Sequence, residues 1–216
     1  MRALLTRKSL LLPAGLLAIA GVAAGTRYAL RQGPGQAVPW LSPINTPKYP
    51  ATVGWINGEP VAREWLLQEE ARLRWQSHAP SSEPLEHFAP QAKQVIEQQV
   101  LLRQEAARRG YTATAEEVLP AMRDVVASLD SLSPQGRAQV TELALGSYGD
   151  QTWSQWLDDP RVIRAYEDQR IIGKLLESLY THAPGGATSD TAARRQAKDR
   201  LVAELRSRAT IRWVVP

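Results

Sequence analysis

The sequence predicts a mainly α-helical body with a small β-hairpin paired to a C-terminal strand, preceded by one N-terminal membrane or signal helix. Three observations point there. Asn57-Gly58, a pair that favours positive φ at both turn positions, separates two short β-prone runs. Between Arg63 and Arg208, apolar residues recur at three- and four-residue intervals over several long stretches. Behind Arg2, Arg7 and Lys8 lies an uncharged apolar run, Ser9–Thr26, the pattern of an export signal or a single membrane span.

Residues 1–26 therefore read as a signal anchor or a signal peptide. Val22-Ala23-Ala24 offers small residues for cleavage, whereas Arg27 and Arg31 follow closely. A basic flank stays in the cytoplasm, which places the body outside it. Residues 27–50 are a linker rich in proline and glycine that would hold the body off a membrane surface.

The body spans 51–216. It opens with strands at Thr52–Ile56 and Glu59–Ala62, and a helix then runs from Arg63 to about Gln76. A proline-rich break at His78–Pro90 precedes a helix over Gln91–Arg109, closed by Gly110 as C-terminal cap. Thr114 with Glu117 matches a capping box for the next helix, in which Val118, Met122 and Val125 keep helical spacing and Pro120 is expected to kink the axis. A helix at Pro134–Leu145 and a helical turn at Gln151–Leu157 follow. Asp159-Pro160 fits an N-cap with proline in the first turn, opening a long helix to Tyr180. After a loop at Thr181–Ser189, a basic helix, about Asp190–Arg208, leads to a strand at Thr210–Val215. A lone strand leaves its backbone unpaired, so this one should return to the hairpin.

Composition narrows the chemistry. Cysteine is absent, which removes disulfides, thiolate metal sites and thiol catalysis. Lys and Arg total 26 against 22 acidic residues, but no acidic residue precedes Glu59. Setting aside Arg2, Arg7, Lys8, Arg27, Arg31 and Lys48 leaves 20 basic against 22 acidic in the body. A near-neutral body lacks the concentrated positive charge that nucleic-acid binding needs. No G-x-x-x-x-G-K-[ST] loop is present, so no nucleotide is expected.

Candidate sites are few. His78 and His87 lie in a proline-rich loop and His182 in a glycine-rich one, so neither a metal nor another cofactor is expected. Gly146-Ser-Tyr-Gly149 has the wrong spacing for a nucleophile elbow. Asp158 and Asp159 are adjacent, and Asp159 is better used as a cap, which leaves no catalytic residues. The basic helix reads as a solvated face. Seven tryptophans against one phenylalanine, Phe88, stand out more. Trp55, Trp65, Trp75, Trp153, Trp156 and Trp213 are candidate peptide-binding residues, core packing being the alternative.

The order of parts resembles a known family. Val53-Gly-Trp-Ile-Asn-Gly-Glu-Pro-Val61 is similar to the hairpin that opens the N-terminal chaperone domain of the SurA/PrsA-type periplasmic foldases, and Arg63-Glu-Trp follows where that family starts its first helix. Val95–Gly110 resembles its "L-I-x-x-x-L-L-x-x-E-A-x-x-x-G" helix, and Thr112–Val118 the start of the next. Gln155–Asp159 leading into Arg164–Leu179 looks like its closing helix, and Ala197–Val215 like its C-terminal helix and returning strand.

The resemblance implies an ATP-independent, extracytoplasmic chaperone domain tethered to the inner membrane by residues 9–26. Its partners would be unfolded or nascent exported polypeptides. Enzymatic members insert a parvulin prolyl-isomerase domain of roughly a hundred residues before the C-terminal helix. Here that place holds only Thr181–Ser189, so isomerase activity is not implied. A dedicated assembly or scaffold subunit of an envelope or polysaccharide-export system is the other expectation.

Overall fold

The computed structural model describes residues 47–77, 79, 83–132, 152–181 and 191–215, together with 134, 137 and 141. The apolar run at 9–26, most of the linker, His78, His182 and the loop before the basic helix lie outside the described residues. So does most of the helix expected at Pro134–Leu145, within which residues 134, 137 and 141 are helical.

Strands β1 (Thr52–Ile56) and β2 (Glu59–Ala62) form the expected hairpin. Asn57 and Gly58 have φ of 51° and 82°, the left-handed pair that suits a tight turn between right-twisted strands. Helix α1 (Arg63–Gln76) follows directly. After a short 3₁₀ turn at Leu85–Phe88 come α2 (Ala89–Arg108) and α3 (Ala115–Ser128). Then come α4 (Trp153–Asp158), α5 (Pro160–Thr181), α6 (Thr191–Ser207) and strand β3 (Ile211–Trp213). The result is mainly helical, with a three-stranded antiparallel sheet in the order β2-β1-β3.

Local chemistry sets the helix ends. Helix α2 begins at Ala89, ahead of the expected Gln91, because Pro90 fits the first turn, where its missing N–H costs nothing. It ends at Gly110, whose φ of 78° lets the Tyr111 N–H turn back to the Ala106 carbonyl. The capping box expected at Thr114 does not form. The Thr114 side chain makes no cap bond, so the box is not reciprocal; the Glu117 carboxylate keeps a hydrogen bond with the Thr114 backbone and also pairs with Lys174 of α5 at 2.8 Å. Helix α3 runs on through Pro120, which is exposed. A reciprocal capping box appears instead at α4, between Thr152 and Gln155. Asp159 caps α5 by accepting the Arg161 N–H at 2.8 Å, ahead of Pro160.

The long helix α5 joins two cores. Its C-terminal half supplies Ile172 and Leu175 to the main core, with Val53, Ile56, Leu66, Ile96, Val100 and Leu205 from the sheet, α1, α2 and α6. Its N-terminal half packs Val162, Ala165 and Tyr166 against Val118 and Met122 of α3 and Trp156 of α4. Fully burying each aliphatic chain of this size contributes about 1.5–3 kcal/mol.

The return of β3 depends on one glycine. Gly54 pairs with Trp213 across the strands, and a Cβ there would stand 2.7 Å from both the Arg212 carbonyl oxygen and the Trp213 ring. The indole lies directly over the bare backbone. Asn57 closes the other end of the ladder. Its N–H donates to the Thr210 carbonyl at 2.8 Å, and its side-chain oxygen accepts the Thr210 N–H at 2.9 Å.

Gly54→Ala should therefore destabilise the chain by about 1–3 kcal/mol through overpacking, read as a lower urea midpoint. An unchanged midpoint would show that the indole gives way freely.

Candidate functional site

The five tryptophans whose side chains are described do not line one groove. Trp65 is buried in the main core and Trp156 is 1% exposed in the second. Trp153 is half-buried and meets Trp156 edge to face, with ring centres 5.4 Å apart. Trp156 meets Tyr166 in the same way at 5.7 Å. Trp55 and Trp213 lie on neighbouring strands, as expected, but register places them on opposite faces of the sheet. Trp55 shares its face with Pro60 and Arg212, whose guanidinium stacks 4.3 Å from the indole centre. Trp213 lies on the inner face with Ile56 and Ile211. Trp75 is in α1, and its side chain lies outside what is described. Among the described residues, Val214 is the only exposed large hydrophobic, at 48%.

A polar pin holds the C-terminal strand. The Trp213 indole N–H donates to Glu97 of α2 at 2.8 Å, and Glu97 pairs with Arg206 of α6 at 3.0 Å. Lys93, one turn earlier on α2, donates to the Val215 carbonyl at 2.8 Å and stands 5.5 Å from the Trp213 ring centre. Strand, α2 and α6 thus meet around one indole.

Helix α1 carries an unusual load. Trp65 to Ala71 are all buried, and this run includes Gln68, Glu69 and Glu70. Glu69 pairs with Arg72 at 2.7 Å, and burial still raises its carboxyl above the ordinary range. Glu70 accepts the Tyr49 hydroxyl at 2.9 Å. Burial pushes its carboxyl up to about 7, with Glu86 adding to the rise and the Tyr49 hydrogen bond and Lys93 opposing it. Burial and the adjacent Glu70 raise the Tyr49 hydroxyl in turn. Arg63 donates to the Tyr49 carbonyl at 3.3 Å, so the residue that enters the body is held at both its backbone and its side chain.

A surface cleft of about 430 Å³ opens between the Asn57-Gly58 turn and the C-terminal ends of α2 and α6. Its floor is Leu101 and Leu205, both buried. Its turn-side wall is preset. The Asn57 amide donates to Gln104 at 2.8 Å, and Gln104 donates to the Ile56 carbonyl at 3.4 Å and to Glu59 at 3.1 Å. Opposite stands Glu105, 3% exposed, which receives both Arg108 and Arg109 at 2.7 Å. The hydrogen bond from Arg108, with those of Arg109, holds the Glu105 carboxyl down at about 2 despite its burial. Arg208 stands 3.6 Å from Glu105 and 3.5 Å from Glu204, beyond ordinary hydrogen-bond length. Sequence reading missed this cleft, although Glu105 followed by arginines three and four residues on was a visible signal.

His87 is exposed and pairs with Glu83 at 2.6 Å. Among the described residues no cluster of three or more histidine, aspartate or glutamate side chains could hold a metal ion. None of their helices is long and apolar enough to cross a membrane. No protein-family model, curated protein or solved structure matches the chain.

Glu70 makes stability depend on pH. Its folded pKa lies above its ordinary 4.5, so the folded state holds the proton more tightly, and the stability gained from protonation is lost as pH rises from 4.5 through 7. Glu70→Gln keeps an acceptor for Tyr49 and removes the buried charge. It should raise unfolding free energy by about 1–3 kcal/mol at pH 8, screening by water included, and by little at pH 4.5. Equal urea midpoints for variant and parent at pH 8 would refute this assignment.

Proposed function

We propose that the chain is an ATP-independent, chaperone-type domain working outside the cytoplasm, tethered by residues 9–26, that binds unfolded or assembling exported polypeptides. One observation supports this above others: the order of parts. A hairpin opens the body, helices follow, and the C-terminal strand returns to the hairpin's first strand. The segments that resemble the SurA/PrsA-type chaperone domain fall on these elements in the same sequence. We assign no isomerase activity, because the segment between α5 and α6 is too short to house a parvulin domain.

The contact surface fits the half-buried residues, not the buried ones. Trp65 and Trp156 belong to cores and are withdrawn from client contact in this reading. Trp55 and Trp153 keep part of their rings in solvent, and Val214 projects beside β3. Strand β3 pairs with β1 alone, so alternation directs the Ile211 and Trp213 backbone groups to its outer edge. An extended client segment would add there by backbone pairing, which tolerates many sequences.

A second reading is a dedicated assembly or scaffold subunit with one fixed partner. The scarcity of exposed large apolar side chains among the described residues favours it, since acceptors of many clients present broad apolar patches.

Two parallel assays with the full chain separate these readings. One follows aggregation of a denatured exported protein and the other cis-to-trans conversion of a proline peptide. Suppressed aggregation without faster isomerisation is expected. Silence in both, with one partner recovered in stoichiometric amount, would replace the chaperone reading by the second.

A further inference from the structure

We propose that the cleft between the hairpin turn and the ends of α2 and α6 binds a carboxylate carried on an apolar group, supplied by a peptide as its chain end or as an acidic side chain.

Charge comes first. Three guanidiniums, Arg108, Arg109 and Arg208, face two carboxylates, Glu105 and Glu204. The rim therefore carries one surplus positive charge. Neighbouring Arg103 does not alter this count, because Glu59 balances it. Glu105 stays ionised well into acid, so the surplus holds across the physiological range.

Donor capacity comes second. Arg108 donates to both Glu105 oxygens and Arg109 to one of them. Arg208 is held only at ion-pair distance from its two carboxylates, one terminal nitrogen facing Glu105 at 3.6 Å and the other Glu204 at 3.5 Å, so its N–H groups can turn to a closer acceptor. It is about half exposed, and a guanidinium is weakly hydrated, so engaging it costs little desolvation.

The floor decides the ligand class. Leu101 and Leu205 give the cleft an apolar base, and its volume of about 430 Å³ suits one or two aliphatic side chains. A bare inorganic anion would use the rim and waste the floor. The wall of Asn57 and Gln104 is locked by its own hydrogen bonds, so binding orders few new groups.

Calorimetric titration of the full chain tests this with four probes: N-acetyl-Leu-Leu as free acid, the same dipeptide as its amide, N-acetyl-Leu-Glu-Leu-amide, and inorganic phosphate. Binding of at least one acid, with neither the dipeptide amide nor phosphate matching it, is expected. The free acid alone would assign the cleft to chain ends; the glutamyl peptide alone would assign it to acidic side chains. Arg208→Ala should weaken the bound acid about tenfold or more, and Arg208→Lys should recover only part of that. Should Arg208→Ala shift the urea midpoint, Arg208→Gln, which keeps the aliphatic stem and removes the charge, serves as the second variant with the same expected weakening. No binding of either acid at about 10 mM (a ceiling far weaker than a millimolar site would need), equal binding of the amide or phosphate, or an affinity indifferent to both variants would overturn the proposal. It is independent of the chaperone reading: acid binding without suppression of aggregation would keep the cleft and remove the chaperone.

Discussion

The closure of the body centres on the Trp213 ring, which lies over Gly54 where β3 joins β1. Strand β3 is short and would not persist alone, so its pairing has to be reinforced from the side. The indole does this three ways. It covers bare backbone of the central strand, donates to Glu97 of α2, and through Glu97 reaches Arg206 of α6. Both ends of the body are thereby fastened to the same helix. Any larger residue at position 54 would push the ring off the sheet and loosen all three elements together.

Buried carboxylates are the second constraint. Glu69, Glu70, Glu97 and Glu105 are withdrawn from water, where an unpaired charge is expensive. Each is met differently. Glu105 is met by two arginines and held strongly acidic, whereas burial outweighs the Tyr49 hydroxyl and the charge of Lys93 at Glu70 and pushes it toward neutrality. The contrast follows from the partners. A guanidinium compensates a carboxylate's charge, and a phenol hydrogen-bonds to it without cancelling that charge. Because Tyr49 is the partner of Glu70, the first described residues are coupled to a carboxyl that burial pushes up to about 7.

Helix α5 gives the molecule its extent. At about 1.5 Å per residue it is long enough to serve two cores with different contents, an aliphatic one near the sheet and an aromatic one around Trp156. Glu117 and Lys174 tie α3 to α5 between them.

Sequence alone determined the elements whose causes are local. The Asn57-Gly58 turn, the bounds of β1, β2 and α1, the Gly110 cap and the proline start of α5 stand within a residue or two of expectation. Each depends on backbone preferences of neighbouring residues. Sequence also implied that the last strand must pair, since backbone groups need partners. What only the tertiary structure decided was the meaning of particular side chains. Six tryptophans looked alike in sequence, yet burial and strand face divide the five whose side chains are described among two cores and both sides of a sheet. The role of Gly54 came into view only where Trp213, far along the chain, lies upon it. The cleft escaped notice because Asn57, Glu105 and Arg208 lie on separate elements, and no short-range pattern encodes which helix ends will meet.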